Sequence, residues 1–169
     1  MKKLISLALS AVLLTSCSVF GKLSEVDYNN QVVEAINATS STLENTATLY
    51  NNGIPSEVQE TDSIDTKAMQ SEYETALNEL TDLDKLQALE SRNIEQQNAV
   101  RTNLQTYQSA AEIYLETYSK MLTYYGEGEY AKDISKVKSI HETLHTDYTT
   151  FMQANNGLVD VLESFVNSK

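Results

Sequence analysis

The stretch VRTNLQTYQSAAEIYLETYSKMLTYY, residues 100–125, sets the fold class. Val100, Leu104, Tyr107, Ala111, Tyr114, Tyr118, Met121 and Tyr125 follow one another in alternating steps of four and three. That is the seam of a helix packed along its length on other helices. Gly126-Glu127-Gly128 then supplies a turn.

Working outward, the same period returns on both sides. Downstream it runs through Ile134, Val137, His141, Leu144, Tyr148, Phe151, Asn155, Leu158, Leu162 and Phe165, with a bend expected at Asn155-Asn156-Gly157. Upstream, a helix from about Ile64 places Met69, Tyr73, Ala76, Leu80 and Leu83 on one face. Its end is marked only by the polar caps Thr81, Ser91 and Asn93, and a break near Ser91 is predicted. The first helix carries Val26, Val33, Ile36, Leu43, Ala47 and Tyr50, and stops at Asn51-Asn52-Gly53-Ile54-Pro55. Residues 55–63 read as an exposed acidic connection, with Ile54 and Val58 as candidate contacts for a partner. With only five Gly and one Pro in 169 residues, long helices meet few breaks. The expected fold is all-α: an up-down-up-down four-helix bundle over residues 24–167, preceded by an N-terminal segment of a different kind.

That segment opens with Lys2 and Lys3, continues in an apolar run from Leu4 to Leu14, and reaches Leu14-Thr15-Ser16-Cys17. A basic start, a short apolar core and small residues before a cleavage point make a secretory signal, too short to span a bilayer permanently. Leu14 to Cys17 resembles the bacterial lipobox, so the segment is expected to be a lipoprotein signal peptide. The resemblance implies a diacylglyceryl group on the Cys17 thiol, removal of residues 1–16 and acylation of the new amino terminus, palmitate being one such chain. Cys17 is the only cysteine and can form no internal disulfide, which fits lipidation. Two or three acyl chains hold a protein on a membrane, where one would not. Residues 17–23 then form the lipidated cysteine and a short tether. Ser18 resembles the outer-membrane sorting residue of organisms with two membranes. With one membrane, the anchor would sit on the outer face of the cytoplasmic membrane.

Cleavage before Cys17 would remove Lys2 and Lys3, taking the formal charge from −12 to −14, because ten basic side chains would then face 24 acidic ones. No cluster of Lys and Arg is present to bind phosphates, which argues against nucleic acid as a partner. The acidic body should not lie flat on anionic lipid. The expected partners are the membrane, through the lipid anchor, and another envelope protein.

One motif is chemically sharp: His141-Glu142-Thr143-Leu144-His145. On a helix, residues four apart share a face, so two imidazoles could hold one Zn²⁺ while Glu142 served a metal-bound water as general base. The five residues resemble the signature of zincin metallopeptidases. The chain departs from that family at Asp147, where an apolar residue is usual, and shows no strand pattern on which to lay out a peptide. Glu163 as third ligand would lie about 27 Å from His145 along a continuous helix. The packing alternative puts His141 in the seam between Val137 and Leu144, beside Glu112 and Tyr114. The expectation is therefore no catalytic residue and no cofactor beyond the covalent lipid. The alternatives are zinc held by His141 and His145 with Glu112 or Glu116, or a zinc peptidase acting through Glu142. A single Glu-x-x-His, Glu142 to His145, is too few for a di-iron site.

Ten Tyr stand against three Phe and no Trp. Tyr107, Tyr114, Tyr118 and Tyr125 could line a pocket for a sugar or aromatic ligand, but seam tyrosines generally bury the ring and pass the hydroxyl to a polar partner. Asp62 with Asp65, and Asp82 with Asp84, lack the rest of a calcium loop and read as caps or solvated charges. With the lipobox at Leu14–Cys17 and Tyr- and Asn-containing amphipathic helices such as Val26–Tyr50, the chain is similar to small helical bacterial lipoproteins of the YiiG-like group. The resemblance implies a surface or periplasmic bundle that works by binding or scaffolding.

Overall fold

The computed structural model describes residues 21–167, which are all-helical. Residues 1–16 and Cys17 lie outside the described part. The helices are α1 (Glu25–Gly53), α2 (Lys67–Asp82), the single turn α3 (Asp84–Gln87), α4 (Ile94–Gly126) and α5 (Lys136–Asn167), with a 3₁₀ turn at Glu129–Ala131 before α5. Among the described residues, no helix is long and apolar enough to cross a membrane.

The α4 seam is buried at every predicted position from Val100 to Tyr125. Asn93 opens the helix: its side-chain oxygen accepts the backbone N–H groups of Glu95 and Gln96. Gly128 closes the turn beyond it in the left-handed region, φ 69°. The second helix, expected to run to a break near Ser91, ends earlier at Asp82; after the single turn α3, a loop through the buried Ser91 leads into α4. Ser91 is enclosed there by Gln96 and Gln97, whose side-chain oxygens accept its hydroxyl and its backbone N–H.

In α1 the buried face differs from the predicted one. Tyr28, Val32, Ile36, Thr39, Leu43, Thr46 and Tyr50 are enclosed, with Ser40 and Thr42 beside them, whereas Val26 is 56% exposed and Val33 and Ala47 are half-buried. The reason is chemical. Burying Thr46 and Ser40 gives hydroxyl partners to the α4 tyrosines that an apolar seam would have left unsatisfied.

A further expectation is corrected. Ile54 and Val58 are buried in the hydrophobic core and so are not exposed contacts. At Asn155-Asn156-Gly157, where a bend was expected, α5 continues without a break. Phe151, Leu158 and Leu162 on either side are buried, so packing of that face holds the helix across the weak helix formers.

Before α1, Leu23 makes an isolated parallel bridge with Ser91. Its N–H donates to the Glu90 carbonyl at 2.7 Å, and its own carbonyl accepts the Arg92 N–H at 2.9 Å. Leu23, read from sequence as the last residue of the tether, is thus held against the loop that leads into α4.

Candidate functional site

The two histidines direct attention to the face where α1, α4 and α5 meet. Tyr50 stands near the end of α1, in the last turns before the Gly53 stop. Tyr114 comes from the middle of α4, and Leu144 and Tyr148 come from α5. Together with Ala47, Asn51, His141 and His145 they line a pocket of about 40 Å³. Ligand sites for small molecules run to several hundred Å³, so this space suits a few atoms and no sugar or aromatic ring.

His141 is exposed on one side, and its ring lies against Tyr50 at 5.7 Å between centroids. The Tyr50 hydroxyl meets His141 Nδ1 at 2.9 Å. The packing partner of His141 is therefore on α1, where the sequence reading looked to Glu112 and Tyr114 on α4. Tyr114 does line the same pocket, while Glu112 is exposed. Tyr50 was missed as a site residue because a contact between α1 and α5 depends on helix lengths and register that spacing within one helix does not carry.

With Nδ1 engaged by Tyr50, a metal could reach His141 only through Nε2, in the tautomer whose Nδ1–H donates to the Tyr50 oxygen. His145 lines the same pocket one turn on. The other candidates are placed elsewhere. Glu116 is exposed and pairs with Lys120 at 2.7 Å, whose hydrogen bond holds its carboxyl below the usual carboxylate range. Glu142 is exposed and reaches toward Lys138 at 3.7 Å. Neither glutamate lines the pocket, and among the described residues no three His, Cys, Asp or Glu side chains are grouped to hold an ion. Asp147, where the zincin pattern fails, accepts the Thr117 hydroxyl at 2.6 Å and so ties α5 to α4. The unbroken α5 also leaves Glu163 far down the helix from His145.

The tyrosine row is core. Tyr107, Tyr114 and Tyr118 are fully enclosed, and their rings pack on one another and on Phe151, Tyr148 and Tyr73. Burial pushes all three phenols well above their ordinary range. Tyr50 and Tyr148, in the pocket wall, are raised for the same reason. These phenols are neutral at physiological pH. The paired aspartates fill local roles: Asp62 and Asp65 accept backbone N–H groups of Gln59 and Lys67, Asp82 pairs with Lys85, and Asp84 accepts from Gln108.

Compared with known proteins, the chain matches no family model, no curated sequence and no solved structure. The resemblances drawn from Leu14–Cys17 and from His141–His145 therefore stand on those residues alone.

Proposed function

We propose that the chain is a bacterial envelope lipoprotein, anchored through lipid on Cys17, whose helical bundle is a non-catalytic binding or scaffolding module. The observation that carries this reading is the run from Lys2 to Cys17, with its basic start, apolar core and single cysteine. The Leu23 bridge supports it, since a tether ending in a backbone clamp leaves only residues 18–22 between anchor and fold. The helices run up-down-up-down. Support comes from the pairs that join them: Ser40 with Asn155 and Tyr50 with His141 set α1 against α5, and Tyr107 beside Phe151 with Thr117 on Asp147 sets α4 against α5. Tyr73 beside Tyr118, with Thr66 close to Gly126, sets α2 against α4. In a two-membrane organism the bundle is held at the outer membrane, and otherwise on the outer face of the cytoplasmic membrane. Its partner is another envelope protein.

Mass spectrometry of the amino-terminal peptide from membranes tests the anchor. A lipid-modified Cys17 as the first residue is expected, with Cys17→Ala left uncleaved and unlipidated. An unmodified cysteine in a chain retaining residues 1–16 would overturn the reading.

A second reading is favoured by one observation, the presence of both imidazoles in one pocket wall. There His141 and His145 bind zinc, with no peptidase step through Glu142. Elemental analysis of the protein purified without a histidine tag should then find near one zinc per chain, and none after His141→Ala with His145→Ala. No zinc in either leaves the pair as packing residues. Zinc-dependent peptide cleavage lost in Glu142→Gln would restore the catalytic alternative.

A further inference from the structure

Three of the large apolar side chains left exposed lie at one end of the molecule: Val26 (56%), Ile94 (57%) and Val166 (52%). Val26 is in the first turn of α1, Ile94 opens α4, and Val166 is in the last turn of α5. The Glu25 carbonyl accepts the Gln96 side chain, which brings the starts of α1 and α4 to the same level. Tyr107 packs on Phe151, and Gly157 faces Asn103 farther along; continuing that antiparallel register carries Val166 to the level of Ile94. The remaining exposed apolar residues are dispersed, with Leu77 and Ile113 midway along α2 and α4 and Ile134 at the opposite end.

The same end is where the chain arrives. Leu23 is clamped to Glu90 and Arg92 just ahead of α4, and the backbone continues from Gly21 toward Cys17. Four residues at about 3.6 Å each allow no more than about 14 Å between Gly21 and Cys17. An acyl-bearing cysteine within that reach brings this end face, and no other, against the headgroup region of a bilayer. Charge at this end is mixed: Lys22 and Arg92 are exposed among Asp27, Glu90 and Glu95. A zwitterionic surface therefore meets it with little net repulsion, while a strongly anionic one is opposed by the acidic body.

We infer that Val26, Ile94 and Val166 form a membrane-seating face, which dips into the interfacial zone of a zwitterionic bilayer and holds the bundle on end. This rests on lipid attachment at Cys17. It adds that the folded body itself touches lipid, and through which residues.

The test uses the full-length gene product, matured and lipidated in the cell and reconstituted in phosphatidylcholine vesicles that carry a bilayer-embedded quencher. The Cys17 thiol is taken by lipid, so single variants Val26→Cys, Ile94→Cys, Val166→Cys, Ile113→Cys and Ile134→Cys each accept one fluorophore. All five sites are exposed, and unchanged circular dichroism verifies folding. The expected result is flotation of every variant, with severalfold stronger quenching at 26, 94 and 166 than at 113 and 134. Flotation with equal, weak quenching at all five overturns the seating face and leaves the anchor intact. Strong quenching at 113 also overturns it, since the bundle then lies on its side. Cross-linking of Val26→Cys between copies without quenching shows that a second copy covers the face instead. Failure to float, with an unmodified Cys17, removes the anchor and the seating face together.

Discussion

The hydroxyls of Tyr107, Tyr114 and Tyr118 all end on α1, and the direction of each bond follows from where the neighbouring protons go. The Ser40 hydroxyl donates to Asn155 and the Thr46 hydroxyl to the Leu43 carbonyl, so Tyr107 donates to Ser40 and Tyr114 to Thr46. Tyr118 donates to the Thr46 carbonyl at 3.0 Å. Thr46 thus satisfies two buried phenols. Tyr118→Phe is expected to cost about 1 kcal/mol, the net worth of one buried hydrogen bond. Thr46→Val keeps the volume but strands the Tyr114 hydroxyl, and should cost about 1–3 kcal/mol. The buried Tyr125 hydroxyl faces the Tyr50 hydroxyl but makes no hydrogen bond as close as those of Tyr114 and Tyr118, so Tyr125→Phe should change stability less than either. Urea midpoints of the three variants decide the order, and a Tyr125→Phe cost above that of Thr46→Val would refute it. This layer explains why the α1 face was only partly legible. Hydropathy selects Val33 and Ala47, whereas Ser40 and Thr46 are buried for what their oxygens accept from another helix.

At the scale of elements, the starts and stops carry local signals that a single sequence can show. Asn93 was among the predicted caps and is the one that caps α4; Asn93→Ala should cost about 1 kcal/mol. Gly128 holds a positive φ with open space around its Cβ position, so Gly128→Ala adds backbone strain of about 1–2 kcal/mol and no clash. Thermal melts that left either variant at the parent midpoint would contradict those assignments. Helix α4 was legible residue by residue because its seam is apolar and uninterrupted, whereas in α5 Leu144, Phe151, Leu158 and Leu162 are buried as expected but His141, and Ile134 just ahead of the helix, are exposed. The connection from Ile54 to Thr66 was not. Its polar composition describes the residues facing water, while Ile54 and Val58 turn inward and Tyr130, from the turn that follows α4, donates to the Asp62 carbonyl. The histidine pocket was half legible for the same reason: the spacing of His141 and His145 shows in one helix, and Tyr50 comes from another.

For the molecule as a whole, the tyrosine core makes alkaline stability a sensitive readout. Burial raises Tyr107, Tyr114, Tyr118 and Tyr125 above the ordinary phenol value of 10.0 that the unfolded chain would show. The folded state therefore keeps protons that the unfolded state releases. Stability is undiminished by these groups below about pH 10 and falls as the pH rises above it. Circular dichroism and tyrosinate absorbance, followed together, should change in one cooperative step, because the phenols ionise as the helices separate. Early tyrosinate absorbance from most of the tyrosines, with helicity unchanged, would mean that the core is open to hydroxide. The Leu23 bridge has a mechanical side as well. Any tug on the residues before Gly21 meets two backbone bonds, to Glu90 and Arg92, before it reaches the first turn of α1. Part of that load enters the loop ahead of α4, so it is shared between two long helices and does not fall on the start of α1 alone.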